Sequence, residues 1–268
     1  MDIGYTTFNQ ITFKTASTNN YRRIINITNP KSNVIFSNCA FIGNNGTAAV
    51  GQEAIYSLNT VAPSNLTVRN SSFIDAPIGI GINNYDSVLI SNNYFNNINI
   101  YFLKIYDVTN LTITQNTSTS STITKFIIQY CTPGLNINNN QFYNTAGMFY
   151  YNSFSAIAPG IVYNNMFMCN LAYSNRGLEI ANTDNLDFIH NTCVVDGSNI
   201  SGGTPLYLNV GSSSILSGIR LINNVFANYG PTGYAIREEN NSSSSPSQWK
   251  NFIIESDGNC YYSASSML

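Results

Sequence analysis

Charged residues are scarce in this sequence. Asp, Glu, Lys and Arg make up 9% of the 268 residues, and the formal net charge is −2. No basic run occurs, so we do not expect nucleic acid as a partner, because binding its phosphates requires clustered Lys and Arg. No apolar stretch approaches the roughly 18 residues of a membrane-spanning helix, and the opening MDIGYTTF has no basic segment followed by an apolar one. We therefore expect no membrane span and no leader peptide within these residues.

Histidine and cysteine are also too few for two kinds of site. The chain has one histidine, His190, and five cysteines, none of them in C-x-x-C spacing. A structural zinc ion needs four such ligands close together, so the sequence argues against a zinc site. The odd number of cysteines argues against a disulfide framework. Cys39 and Cys193 lie in or beside an apolar repeat position, which predicts buried free thiols.

What the sequence does contain is a short repeat, in which alternating apolar residues are followed by a polar, amide-rich turn. The copies are VIFSNCAF at 34, LTVRNSSF at 66, VLISNNYF at 88, LTITQNTS at 111, LNINNNQF at 135, IVYNNMFM at 161, LDFIHNTC at 186 and IRLINNVF at 219, with ITFKTAST at 11 and IIESDGNC at 253 as weaker members. Most copies begin 22 to 26 residues after the previous one. The chain is therefore a tandem array with insertions.

The apolar residues of each copy alternate, as at Val88 and Ile90, which is the period of a β-strand rather than of a helix. A second apolar run follows in each unit, for example GIGI at 79 and YFLKI at 101. The unit is too short for a helical-hairpin repeat and lacks the fixed leucines of a leucine-rich repeat. Two or three short strands per unit, separated by Asn, Gly and Ser, predict one coil of a parallel β-helix.

The pattern aliphatic-x-aliphatic-x-Asn-x-x-Phe, followed by a GIGI-like strand, resembles the right-handed parallel β-helix repeat proteins of the pectate-lyase-like superfamily over nearly the whole chain. The resemblance implies an all-β fold, a right-handed parallel β-helix solenoid of about ten coils, in a single domain over residues 1–268. Solenoid ends need polar caps, and neither end here has a distinct one. We therefore expect a segment of a longer protein, capped by neighbouring domains or subunits.

An asparagine recurs at the turn between two strands of each copy. Asn tolerates the left-handed backbone conformation better than other non-glycine residues, and its amide can bond to neighbouring coils. The repeat puts Gln115, His190 and Asp257 in the same position, so we interpret the lone histidine as a turn residue rather than a catalytic base. The predicted ladder comprises Asn38, Asn70, Asn92, Asn139, Asn165 and Asn223.

The resemblance implies that an enzyme of this superfamily would carry a Lys or Arg base and acidic calcium ligands on one sheet face. Strand alternation puts Lys104 and Glu179 on that face but three coils apart, or roughly 14 Å at 4.7 to 4.9 Å per coil. The paired carboxylates of a glycosidase lie roughly 5 to 9.5 Å apart, and the sequence indicates no such pair there. Asp86 and Asp107, in turns of neighbouring coils, are the one pair that could contribute to a calcium site, and no other cofactor is indicated.

Two function classes remain open. Sparse charge favours a non-catalytic module, extracellular or at the cell surface, that is adhesin-like or structural and could bind a polysaccharide or surface glycan. The alternative is a carbohydrate-active enzyme, a polysaccharide lyase or glycoside hydrolase with unusual catalytic residues. Strand alternation also predicts exposed aromatic rings that could stack on sugars, with Tyr150 or Tyr151 among them. The predicted ligand-binding residues are Phe102, Lys104, Tyr106, Glu179 and Tyr207.

Overall fold

The computed structural model describes residues 5–15, 23–28, 32–44, 52–122, 124–169, 176–196, 203–209, 216–239 and 252–264. Within these ranges the strands assemble into three all-parallel sheets, here called A, B and C. Successive strands along the chain enter sheets A, B and C in turn, so each coil contributes one strand to each sheet. The described part of the tenth coil contributes to sheets A and B.

The strands are short, as expected for a chain that turns three times per coil. Sheet A contains β1 (Thr6–Asn9), β4 (Val34–Ser37), β7 (Leu66–Arg69), β10 (Val88–Ser91), β13 (Leu111–Thr114), β16 (Asn136–Asn138), β19 (Gly160–Tyr163), β22 (Leu186–Ile189), β25 (Ile219–Ile222) and β28 (Ile253–Asp257). Sheet B contains β2 (Thr12–Lys14), β5 (Ala40–Ile42), β8 (Ser72–Ile74), β11 (Tyr94–Asn96), β14 (Thr117–Thr119), β17 (Gln141–Tyr143), β20 (Met166–Cys169), β23 (Thr192–Val195), β26 (Val225–Asn228) and β29 (Cys260–Ser263). Sheet C contains β3 (Ile25–Ile27), β6 (Glu53–Leu58), β9 (Ile78–Tyr85), β12 (Tyr101–Val108), β15 (Thr124–Gln129), β18 (Thr145–Tyr150), β21 (Arg176–Ala181), β24 (Thr204–Asn209) and β27 (Ile236–Glu239).

This topology confirms the predicted parallel β-helix of about ten coils. The alternating residues of each strand decide which side chains face the interior: Val88 and Ile90 are buried between the sheets, as predicted, whereas Leu89 between them is partly exposed. None of the described elements is a helix long and apolar enough to cross a membrane.

Phenylalanine rings stack beneath sheet B from one coil to the next. Phe41 and Phe73 have ring centroids 4.7 Å apart, and Phe73 and Phe95 are 4.8 Å apart, with nearly parallel planes. These distances equal the spacing of neighbouring strands, because the same position of successive coils holds the same residue. Burial of each ring contributes about 1.5 to 3 kcal/mol to folding, so the stack is a main source of stability.

Phe102 belongs to this interior stack, and its predicted place on the outer face of sheet C is wrong. A register shift between Tyr101 and Leu103 interrupts the strand alternation, and both Phe102 and Leu103 are buried. The fifth coil has Ser118 where its neighbours have phenylalanine. The Phe102 ring lies between Phe95, at 5.4 Å, and Phe142, at 4.8 Å, and therefore fills the gap that Ser118 leaves.

The corner between sheets A and B has a left-handed residue in each coil. Asn92 in the fourth coil has a φ of 54°, and Gln115 in the fifth and His190 in the eighth take the same position at 57° and 54°. The predicted turn role of the lone histidine is confirmed. The register was off by one residue in two coils, where Asn164 and Gly258 rather than Asn165 and Asp257 take the left-handed conformation.

In the fourth to tenth coils, the asparagine after the left-handed residue belongs to a second ladder, which we call the inner ladder. Asn116 Nδ2 donates to Asn140 Oδ1 at 3.0 Å and to the Ile90 carbonyl at 2.9 Å, and its own Oδ1 accepts from Asn93. These bonds pair amide and carbonyl groups that would otherwise be buried without partners. The inner ladder comprises Asn93, Asn116, Asn140, Asn165, Asn191, Asn224 and Asn259.

The cysteines are free, and four of the five are buried, including Cys39 and Cys193 as predicted; Cys260 is exposed. Burial raises the pKa of the Cys131 thiol to about 12 and also raises the pKa of Cys193. Both thiols therefore stay protonated and act as small apolar side chains.

Candidate functional site

The outer face of sheet C carries charged, apolar and aromatic side chains. Its central row passes through Lys104, Ile127, Met148 and Glu179 in the fourth to seventh coils, and continues to Tyr207. The strand alternation had correctly put Lys104, Glu179 and Tyr207 on this face. Because the row runs along the solenoid axis, a ligand that contacts several of these side chains would lie across the strands.

A cleft of about 290 Å³ opens on this face between the fourth and seventh coils. Its floor is apolar at Ile127 and Met148, and Lys125 extends from the fifth coil at its rim, exposed and in no ion pair with a described residue. The cleft is lined by Tyr101, Lys125, Phe126, Ile127, Ala146, Gly147, Met148, Arg176 and Glu179. A partly apolar concavity with a few polar groups is typical of small-ligand and glycan sites.

Glu179 lies at one end of the cleft, where it is paired with Arg176 and Asn209. Its Oε2 accepts from Arg176 Nη1 at 2.8 Å, and its Oε1 accepts from Asn209 Nδ2 at 2.8 Å. The carboxylate is buried, with 7% of its surface exposed, and each oxygen already accepts a hydrogen bond. Arg176 and Asn209 hold the carboxylate in one position through bonds to both of its oxygens, so the geometry favours a fixed anionic contact over a general base.

Tyr207 lies beneath the same arginine. The Arg176 guanidinium is 3.7 Å from the centre of the Tyr207 ring, and only 2% of Tyr207 is exposed. The expectation of an exposed ring is therefore wrong, because a side chain from the preceding coil covers it. The Tyr207 hydroxyl is buried and has no hydrogen-bond partner among the described residues.

A similar cluster at the other end of sheet C was not foreseen from the sequence. Arg23 Nε donates to Glu53 Oε2 at 3.0 Å, and its guanidinium lies 3.3 Å from the centre of the Tyr56 ring. Glu53 is buried over Gly81, where a Cβ atom would come within 2.9 Å of the glutamate side chain. Nothing in the spacing of these residues along the chain predicts the cluster, because they belong to different coils.

A group of tyrosines follows the edge of sheet C beside the cleft. Tyr106 and Tyr150 point outward in one row, and Tyr130 and Tyr151 occupy the left-handed position after strands β15 and β18, with φ of 56° and 53°. Burial, then Tyr101 and Tyr130, raise the pKa of Tyr106. The bond to Tyr151 is the largest cause that raises the pKa of Tyr150. Tyr106 was predicted as a site residue and Tyr151 as an alternative, whereas Tyr130 was missed.

The predicted calcium pair lies in exposed turns. Asp86 Oδ1 accepts from Thr109 Oγ1 at 2.6 Å, and Asp107 is the left-handed residue of its coil, with φ of 51°. Over the part of the chain that the structure describes, no group of three or more His, Cys, Asp or Glu side chains could hold a metal ion. Two carboxylates fall short of the six to eight oxygens that calcium takes, and the calcium site stays a prediction.

His190 lies away from this face, at the corner between sheets A and B. It lines an open groove of about 440 Å³ with Met166 and with polar side chains that include Asn139 and Asn164. His190 is exposed, and its backbone takes the left-handed conformation that this corner has in every coil. The groove follows from the regular repetition of this corner and brings the histidine next to no carboxylate among its lining residues.

Comparison with known proteins gives little that bears on this face. No protein-family profile and no curated protein matches the chain. Among solved structures, the chain is similar to the A-module of the mannuronan C-5 epimerase AlgE6 of Azotobacter vinelandii, with 12% sequence identity, coverage of 91% of this chain and 77% of that chain, and a TM-score of 0.47. At this level of similarity no residue role is transferred between the two chains.

Proposed function

We propose that this protein is a β-helix module that binds a polysaccharide along the outer face of sheet C without cleaving it. The observation that carries the proposal is the cleft over the fourth to seventh coils, where Ile127 and Met148 form an apolar floor and Lys125 is exposed and forms no ion pair with a described residue. A pyranose ring has an apolar face and a rim of hydroxyls, which suits such a mixture. The cleft spans three coil spacings, roughly 14 Å, so an extended chain fits better than a single sugar.

The test is titration of the purified protein with xylohexaose, cellohexaose, polygalacturonate and alginate by calorimetry. Lys125→Ser removes the exposed ammonium donor and should weaken binding about fivefold, since one hydrogen bond to a charged group contributes about 1.5 kcal/mol or less after solvent exposure is considered. Lys14→Ser is the matched control, because Lys14 is an exposed lysine on sheet B. Equal losses in both variants, or no binding by the wild type to any of the four glycans, would contradict the proposal.

The enzyme alternative has one observation in its favour: Glu179 is buried, and its strand partner Tyr207 has a buried hydroxyl with no hydrogen-bond partner among the described residues. An acid and a phenol on neighbouring coils could serve as base and acid. Because Arg176 and Asn209 hold Glu179 as a fixed, ion-paired contact, we expect no unsaturated or newly reducing ends when the four glycans are incubated with the protein. Product formation that disappears in Glu179→Gln would establish the enzyme alternative instead.

Location outside the cell, in an adhesin-like or structural role, is part of the same proposal and follows from a polysaccharide ligand. Antibody labelling of intact cells that express the protein is the direct test. Labelling only after the cells are permeabilised would contradict an extracellular location.

A further inference from the structure

Tyr130 and Tyr151 hold a backbone conformation that their residue type disfavours. The left-handed region is adopted mainly by glycine and, among other residues, by Asn and Asp. The same corner holds Asn84, Asp107 and Asn182 in the third, fourth and seventh coils, at φ of 60°, 51° and 47°. Two successive coils thus replace a favourable residue with a strained one. Backbone strain of this kind clusters at ligand-binding positions.

The two rings contribute little to the core. Tyr130 is 46% exposed and Tyr151 is 40% exposed. Their rings stack on each other with centroids 5.3 Å apart and planes 11° apart, and the Tyr150 hydroxyl lies 3.3 Å from that of Tyr151. The pair therefore forms a small wall of aromatic surface with its hydroxyls at the rim.

The stack leaves one ring face open, on Tyr130. The Tyr151 ring packs against Tyr130 on one side and also against the Tyr150 ring, whose centroid is 4.1 Å from its own at an interplanar angle of 60°. On the other side of Tyr130 the next residue in this column is the shorter Asp107, which cannot cover a phenol ring with an aromatic surface of its own. A flat ligand with an apolar face can pack against this open face of Tyr130.

The tyrosine wall is next to the cleft. Tyr150 follows Met148, which lines the cleft, by two residues on the same face of β18. The lysines of this face, Lys104 and Lys125, lie on β12 and β15, and Lys104 Nζ is 5.6 Å from the centre of the Tyr106 ring. The exposed carboxylate of Asp107 lies beside Tyr130 in the column. An acidic sugar stacked on this face of Tyr130 would be repelled.

We propose that Tyr130 and Tyr151 form a stacking subsite for a neutral, β-linked pyranose chain, such as a xylan or a β-glucan, whose continuation lies in the sheet C cleft. This inference rests on the proposed glycan binding and adds to it the class of sugar and the residues that select it. Neutral sugars with equatorial hydroxyls present a flat C–H face that matches the open ring face of Tyr130.

The experiment compares wild type with Tyr130→Asn/Tyr151→Asn by calorimetric titration with xylohexaose and cellohexaose. Asn is the residue that this corner holds in other coils, so the double variant should melt at the same temperature or higher. Its affinity for the hexaose should fall about tenfold, the loss expected when ring stacking is removed. Tyr130→Phe/Tyr151→Phe keeps the rings and should bind within about threefold of wild type. Tyr94→Thr is the control, because it removes an exposed tyrosine from sheet B.

The outcomes separate this inference from the proposed function. Saturation transfer from the hexaose to tyrosine ring protons, lost in the Asn double variant, would support the subsite. Equal hexaose binding by wild type and the Asn double variant overturns the subsite and leaves binding in the cleft intact. Binding of polygalacturonate or alginate but of neither hexaose overturns the neutral specificity alone. If wild type binds none of the four glycans, the proposed function fails together with the subsite.

Discussion

The corner between sheets A and B and the corner after sheet C both turn through a left-handed residue in successive coils. At the first corner the described coils use Asn, Gln, His or Gly, and the following asparagines add the inner ladder. At the second corner Tyr130 and Tyr151 replace the amide or carboxylate of the third, fourth and seventh coils. The backbone requirement is the same, so the departure at the second corner needs a cause other than the turn. Regular rows in this solenoid stabilise it, and interrupted rows mark where side chains have a further role.

The interrupted row inside the solenoid should give the largest effect on stability. Phe102→Ala removes a buried ring and should lower the free energy of unfolding by about 4 kcal/mol. Ser118→Phe in the same protein restores the regular phenylalanine row and should recover most of that loss. Chemical denaturation of both variants measures the effect. No recovery in the double variant would mean that Phe102 does not occupy the Ser118 gap.

The inner ladder at the corner between sheets A and B should give the next largest effect on stability. Asn116→Leu removes the bond to the Ile90 carbonyl, the bonds from the Asn93 backbone N–H and Nδ2, and the bond to Asn140 Oδ1. It should lower the free energy of unfolding by about 3 kcal/mol. Denaturant unfolding is the measurement. A loss below 1 kcal/mol would show that water replaces these bonds.

Substitution of the exposed left-handed residue at the same corner should lower the free energy of unfolding by less. Asn92 is exposed, so Asn92→Leu costs only the left-handed preference, about 1.5 kcal/mol. Thermal unfolding of Asn92→Leu and Asn116→Leu under the same conditions compares the stability lost at the exposed turn position with that lost in the inner ladder. An equal or larger loss at residue 92 would reverse the assignment of the inner ladder as the stronger element.

The smallest expected change has the opposite sign. Tyr207→Phe removes a buried hydroxyl that has no partner among the described residues, and should raise the free energy of unfolding by about 1 kcal/mol. The ring beneath Arg176 is kept. Destabilisation by this substitution would reveal that the hydroxyl is bonded in solution.

The sequence was sufficient for the fold and for most of the turns, because both follow from local rules. Alternation of Val88 and Ile90 defines a strand, and asparagine at the turn identifies a left-handed residue. Phe102 was predicted on the wrong face because the strand shifts register beside it. The shifted strand puts the Phe102 ring in the space that Ser118 of the next coil leaves in the phenylalanine row. The burial of Tyr207 depends on Arg176 from the preceding coil. Tyr130 is identified as a candidate site residue only because its ring stacks on that of Tyr151 in the next coil. A repeat pattern shows which residues occupy equivalent positions. It does not show how unlike side chains on neighbouring coils contact one another, so these contacts could not be predicted.

The inner ladder also gives the solenoid an electrical direction. From Asn93 to Asn259, each amide oxygen accepts from the coil before it, as when Asn140 Oδ1 accepts from Asn116. The side-chain dipoles therefore add head to tail along the axis, and each bond polarises the next. The two ends of the rod are not equivalent: a further coil added after Asn259 would meet the positive end of this array, so a carbonyl oxygen in that position would be attracted and an N–H group repelled.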